Sequence, residues 1–205
     1  MPDLPAGEYD FYAGIDPGFQ GAVGVINAAG TDVRVWDLPV ITKDLDRQRE
    51  FDLAGFDDLF RGLSRRPRLV LGIEWPSTRP GEGSERSERF GRGKGYLEAF
   101  AYCKRIDYYK IVPSLWKGRL NLPGKSDPEA NQMAARVFEQ AYPEYAGLVR
   151  GPRGGIKDGR CDALLIAHFL RSRTVGHLNR LVEQHGKGSD EVLGALLGGQ
   201  RRKKR

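Results

Sequence analysis

Short apolar runs separated by turn residues open the chain, and apolar positions at helical spacing take over beyond residue 50. Residues 12–15 and 22–26 are two such runs, joined by a Gly-rich turn. After the turn signal Asn27-Ala28-Ala29-Gly30, residues 33–36 alternate as a half-buried strand does. These three segments predict an antiparallel meander. Phe51, Leu53, Phe56, Leu59, Phe60 and Leu63 follow helical spacing and predict a helix over 51–63. Residues 69–73 form a continuous apolar run between Pro67 and Pro76, the pattern of a strand buried on both faces. Residues 77–95, mostly Gly, Ser, Arg and Glu, predict a long mobile loop, with Phe90 its one aromatic residue. Helical spacing returns over 96–105, and 108–112 predicts a fifth strand. Asp127 starts a helix with Pro128 at its first position, running to about Gln140. Residues 161–170 predict a final core helix, and a weaker amphipathic stretch over 175–197 is broken by Gly186 and Gly188. This order predicts an α/β fold with a five-stranded mixed sheet flanked by helices. The main domain would cover 1–173, and a helical, basic extension 174–205.

Composition narrows the setting. The 205 residues suit one domain of ordinary size with a proper core. No apolar run is long enough to span a bilayer, and the opening residues lack the basic start and apolar centre of a signal peptide. The cysteines Cys103 and Cys161 show no metal-type spacing, so the expectation is a cytoplasmic protein with free thiols. The net charge of +6 hides an asymmetry: residues 1–60 carry 4 Lys/Arg against 12 Asp/Glu, whereas residues 61–125 carry 15 against 6. A basic middle beside an acidic start suggests a polyanionic partner brought to a carboxylate site, though a solvated surface has the same look.

Four acids stand in costly places. Asp16 and Glu74 each follow an apolar strand directly, while Asp158 and Asp162 lie at the opening of the last core helix, four residues apart and so on one helical face. Carboxylates converging from rigid elements repel one another unless a cation holds them. Mg²⁺ takes oxygen ligands of this kind, and two such ions about 4 Å apart can drive phosphodiester hydrolysis. Each acid also has a plain reading: Asp16 as a turn residue, Glu74 as a solvated strand end, Asp158 as a helix cap. Asp162, among Ala163, Leu164, Leu165 and Ile166, has the least natural one.

Gly14-Ile15-Asp16-Pro17-Gly18 with Gly21-Ala22, then Ile73-Glu74, then Asp158-Gly159-Arg160-Cys161-Asp162-Ala163-Leu164-Leu165-Ile166-Ala167 resembles the RuvC-type Holliday junction resolvases, chiefly their phage and chloroplast branch. Val112-Pro113-Ser114-Leu115-Trp116-Lys117 and Gly124-Lys125-Ser126 extend the likeness, which spans about residues 11 to 172. The resemblance implies an RNase H-like fold, a homodimer and Mg²⁺- or Mn²⁺-dependent cutting of two strands at a four-way DNA junction. It carries metal-binding and catalytic roles onto Asp16, Glu74 and Asp162. The fourth acid is carried onto Asp158, where the chloroplast-type pattern has His; bacterial members place theirs three residues before the last acid, where this chain has Gly159. Lys117 and Lys125 fall where members carry basic residues near the scissile phosphate.

The same resemblance puts the element that enters the junction at 77–95. Arg79, Arg86, Arg89, Arg92 and Lys94 suit backbone contact there, and Arg119 joins Lys117 and Lys125 as a DNA-binding candidate. Trp75 and Phe90 are candidates for stacking on bases, with Trp75 as a core residue the alternative. Pro123-Gly124-Lys125-Ser126 mimics the end of a nucleotide-binding loop, but Arg119 stands where its first glycine belongs. Two other functions stay open at this level: a broader structure-selective nuclease for forks, flaps or RNA–DNA hybrids, and a catalytically silent junction-binding protein.

Overall fold

The computed structural model describes residues 9–42, 49–76, 84–124 and 127–185, of which 84–86, 89 and 174–185 are described in backbone alone. Its strands are β1 (Phe11–Ile15), β2 (Ala22–Asn27), β3 (Val33–Asp37), β4 (Val40–Thr42), β5 (Arg49–Phe51), β6 (Leu69–Glu74) and β7 (Asp107–Ile111). Its helices are α1 (Leu53–Ser64), α2 (Ser84–Cys103), α3 (Pro113–Arg119), α4 (Pro128–Ala141) and α5 (Asp158–His185), with a 3₁₀ turn over Pro143–Val149. Five strands form one mixed sheet in the order β3-β2-β1-β6-β7. The meander β1-β2-β3 is antiparallel, and β6 and β7 extend it in parallel. The predicted five-stranded sheet is thus observed, and β4 and β5 add a small separate ribbon.

Alternation along the strands sends side chains to two cores. Ala13, Ile15, Val23, Val25, Leu71 and Ile73 meet Phe56, Phe60 and Leu97 of α1 and α2 on one face. Tyr12, Ile26 and Val70 meet Leu164, Leu165 and Phe138 of α5 and α4 on the other. Full burial of each such aromatic or aliphatic side chain contributes ~1.5–3 kcal/mol. On the α5 face three glycines lie side by side, with Gly14 paired to Gly24 on β2 and to Gly72 on β6. A Cβ on Gly14 would stand 2.6 Å from the Ala167 backbone N, one on Gly24 2.9 Å from the Leu164 Cα, and one on Gly72 3.0 Å from Ile166 Cγ2. The row is a trough in the sheet, and the backbone of α5 lies in it.

Several element boundaries differ from expectation. Most of the expected loop over 77–95 is helix, since α2 starts at Ser84; residues 77–83 lie outside the described residues. Its glycines and lack of an apolar stripe conceal it. Gly93, however, faces the Phe51 ring so closely that a Cβ would stand 2.5 Å from a ring carbon, and Arg92 pairs with Glu88 one turn back at 3.2 Å. Phe51 ends β5 rather than opening a helix, because the Asp52 carboxylate caps α1 by accepting the Ala54 and Gly55 N–H groups at 3.1 Å. The last helix begins three residues earlier than expected, at Asp158, and its backbone continues without a break to His185. Among the described residues no helix is long and apolar enough to cross a membrane.

Candidate active site

Register places the first two acids. Ile15 pairs with Ile73, so Asp16 and Glu74 stand together at the carboxyl ends of the adjacent parallel strands β1 and β6. Each lies two residues beyond a trough glycine, Gly14 or Gly72, and so leaves the sheet on the face that α5 covers. The β1–β2 turn is held shut by the Asp16 N–H donating to Ala22 O at 3.1 Å and the Gly21 N–H to Gly18 O at 2.9 Å. The first turn of α5 is pressed onto this turn: a Cβ on Gly159 would lie 2.9 Å from both Gln20 C and Gly21 Cα. That contact brings the acids of α5 to the acids of the sheet, which is why a glycine stands between Asp158 and Arg160.

The acids act on one another through a poorly solvated space. Burial, and then the charges of Glu74, Asp162 and Asp158, push the Asp16 carboxyl well above its ordinary range, against one backbone hydrogen bond from Gly18. Glu74 is only 8 % exposed. Burial and the charge of Asp162 raise it, opposed by the Trp116 indole and the Lys117 ammonium. Asp162 is raised by burial and lowered by Lys117, whose Nζ stands 3.4 Å from Oδ2. Asp158, at the helix start, is exposed.

The short helix α3 completes the site from the side. Pro113 starts it, and its consecutive residues Trp116 and Lys117 serve two different acids. The buried Trp116 donates its Nε1–H to Glu74 Oε1 at 2.9 Å, while Lys117 reaches Asp162. Lys117 is a candidate from sequence; Trp116 of the same motif is not, although a buried indole needs a polar partner and here finds a candidate acid.

All four candidate acids offer carboxylate oxygens, the donors that Mg²⁺ or Mn²⁺ prefers, and Asp16 and Glu74 are raised by desolvation and by repulsion that a cation would relieve. The chemistry of the site therefore fits a hard divalent ion. Among the described residues no three His, Cys, Asp or Glu side chains stand close enough together to hold one ion as they lie. The fit rests on donor type and electrostatics.

The other candidates fall in three places. Trp75 packs against the core beside Glu74, with Lys94 Nζ 4.7 Å and Lys110 Nζ 4.3 Å from its ring centroid. Lys94 is buried, donates to Pro76 O at 3.1 Å and lies 5.0 Å from the Phe90 centroid, so Phe90 and Lys94 of α2 cluster with Trp75 at the end of β6. Burial and the Lys110 charge lower the Lys94 pKa. Arg92 lines a small pocket with Phe19, Phe51 and Tyr96. Arg119 lines a separate cavity of about 590 Å³ with Leu120, His168 and Arg173. Arg79 and Lys125 lie outside the described residues, and Arg86 and Arg89 are described in backbone alone.

No protein-family model matches the chain, and no curated protein does. Solved structures do. A Thermus thermophilus RuvC in complex with Holliday junction substrate is 19% identical, with a TM-score of 0.51, covering 83% of this chain and 97% of that one. The yeast mitochondrial Holliday junction resolvase Ydc2 is 21% identical, with a TM-score of 0.51, covering 90% and 86%. The chain shares the RNase H-like fold of these two proteins over most of its length.

Proposed function

We propose that this chain is an endonuclease that resolves four-way DNA junctions by paired symmetric nicks, with Mg²⁺ or Mn²⁺ as cofactor. The observation that carries the reading is the meeting of Asp16, Glu74 and Asp162 from two adjacent strands and the helix across them, buried enough to raise all three carboxyls. The two solved resolvases of the same fold support the choice of substrate. A pure binding protein has no reason to gather repelling acids at a phosphate groove.

Asp16, Glu74, Asp162 and Asp158 would hold a pair of ions, which supply charge neutralisation for the phosphoryl transfer. The chain's own residues set the geometry: Trp116 fixes the Glu74 carboxylate, and Lys117 stands ready to balance charge on the phosphate. A water attacks phosphorus in line, the P–O3′ bond breaks, and the products are a 5′-phosphate and a 3′-hydroxyl that a ligase can rejoin. The described residues of one protomer bring together one such site, so symmetric cutting of two strands calls for a homodimer whose two-fold axis matches that of the junction. The test offers labelled four-way junction, fork, flap and duplex to wild type and Asp16→Asn, in Mg²⁺ and in EDTA. Metal-dependent cutting of the junction alone, lost in Asp16→Asn, supports the proposal. Equal cutting of forks and flaps replaces it with a broader nuclease, and tight binding without cutting replaces it with a junction binder.

A further inference from the structure

Beside the acids, and sharing Asp158 with them, lies a groove of about 920 Å³. Its floor is the β1–β2 turn at Phe19–Gly21, and one wall is a loop that folds back on itself between Arg150 and Ile156. Gly151 N–H donates to Gly155 O at 2.7 Å across that loop, and Gly154 holds a φ of +78° that favours glycine.

Four cations line the groove: Arg49 from β5, Arg153 and Lys157 from the loop, and Arg160 from α5. Arg160 is committed, because it grips Asp37 with two hydrogen bonds of 2.5 and 2.7 Å. The other three are not neutralised in this way. Arg49 is held in place, with Nη2 donating to Phe19 O at 2.5 Å and its guanidinium carbon 5.4 Å from the Phe19 centroid, but neither partner is an anion. Arg153 and Lys157 are exposed and form no salt bridge among the described residues. Gln20, Gly21, Arg49 and Asp158 line both this groove and the cleft of about 490 Å³ that holds Asp16. One passage therefore joins these cations to the acids.

From this continuity we infer that the groove is the track of the cleaved DNA strand, in which Arg49, Arg153 and Lys157 take the backbone phosphates next to the scissile one. The inference rests on the endonuclease reading and adds to it the path of the substrate. A chain of phosphates is the polyanion that can lie over cations at one end of a passage while presenting one phosphate to carboxylates at the other. Such contacts position the strand and carry no sequence information.

The test is the salt dependence of binding to a four-way junction in EDTA, where cutting plays no part. The double variant Arg153→Gln/Lys157→Gln is compared with wild type and with Arg34→Gln/Arg136→Gln, which makes the same charge change at exposed positions outside the groove. The groove variant is expected to reduce the slope of log K against log salt by about 2 and, in separate cleavage assays with Mg²⁺, to raise KM, while the control keeps the wild-type slope and KM. Arg153→Lys/Lys157→Arg, which keeps both charges, is expected to restore the slope. A groove variant with the slope and KM of the control overturns the track, even if the wild type cuts junctions normally. Failure of the wild type to cut any DNA, with the slope difference intact, overturns the nuclease and leaves the track as a DNA-binding site.

Discussion

The indole N–H of Trp116 donates to Glu74 Oε1 at 2.9 Å, and the next residue, Lys117, stands 3.4 Å from Asp162. One turn of α3 thus serves a strand acid and a helix acid at once. Trp116→Phe removes a hydrogen bond that favours the charged Glu74, so the Glu74 pKa rises further. The acidic limb of the pH–rate profile is expected to move to higher pH. A hydrogen bond to a charged group contributes ~1.5–3 kcal/mol, so kcat should fall at least about tenfold, with junction affinity in EDTA unchanged. A profile unmoved in Trp116→Phe would reduce Trp116 to a core residue.

Lys117 offsets negative charge that a divalent ion would also offset. Replacing it with Met is expected to raise Mn²⁺ affinity, read by calorimetry, while lowering kcat about a hundredfold through lost stabilisation of the transferring phosphate. A simultaneous fall in metal affinity would contradict this division of labour.

Asp16 gives a pH dependence of stability with a definite sign. Its carboxyl is raised in the folded protein, so the folded state binds more protons than the unfolded one. The contribution is fully present below the unfolded value of ~3.9 and is lost as pH rises through the folded pKa. Metal-free Asp16→Asn should therefore be more stable than wild type at neutral pH, and the gap should close toward pH 4. Thermal melts in EDTA across that range measure it, and added Mg²⁺ should stabilise wild type more than the variant.

Asp16, Glu74 and Asp162 were legible because each borders an apolar run, and a charge in such a place is conspicuous whatever the fold. The three-strand meander and β6 were legible from alternation and from an uninterrupted apolar run. What stayed hidden depends on contacts between distant residues. The pairing of Gly14 with Gly24 and Gly72 is a matter of register, invisible until the strands are aligned. Helix α2 lacks an amphipathic stripe, and Gly93 looks like a loop residue until Phe51 lies against it. The hydrogen bond from Trp116 to Glu74 joins residues 42 positions apart, and Arg49 of β5 meets Arg153 and Lys157 of a distant loop in the groove.

The trough gives a purely structural prediction. Gly14→Ala places a methyl 2.6 Å from Ala167 N and 2.8 Å from Ile166 Cβ, and α5 must move away from the sheet. The expected loss is ~3 kcal/mol or more in urea unfolding. Gly62→Ala, inside α1 with open space around it, should instead gain ~0.5–1 kcal/mol. Equal effects at the two positions would mean that α5 does not lie in the glycine row.

We propose that Asp16, Glu74 and Asp162 form a metal-dependent centre that cuts both strands of a junction symmetrically. A supercoiled plasmid that extrudes a cruciform tests it directly, because paired nicks linearise the circle and a single nick only relaxes it. Wild type is expected to give ligatable linear product in Mg²⁺ or Mn²⁺, and Asp16→Asn, or wild type in EDTA, to give none. Open circles alone, or linear product undiminished in Asp16→Asn, would contradict it.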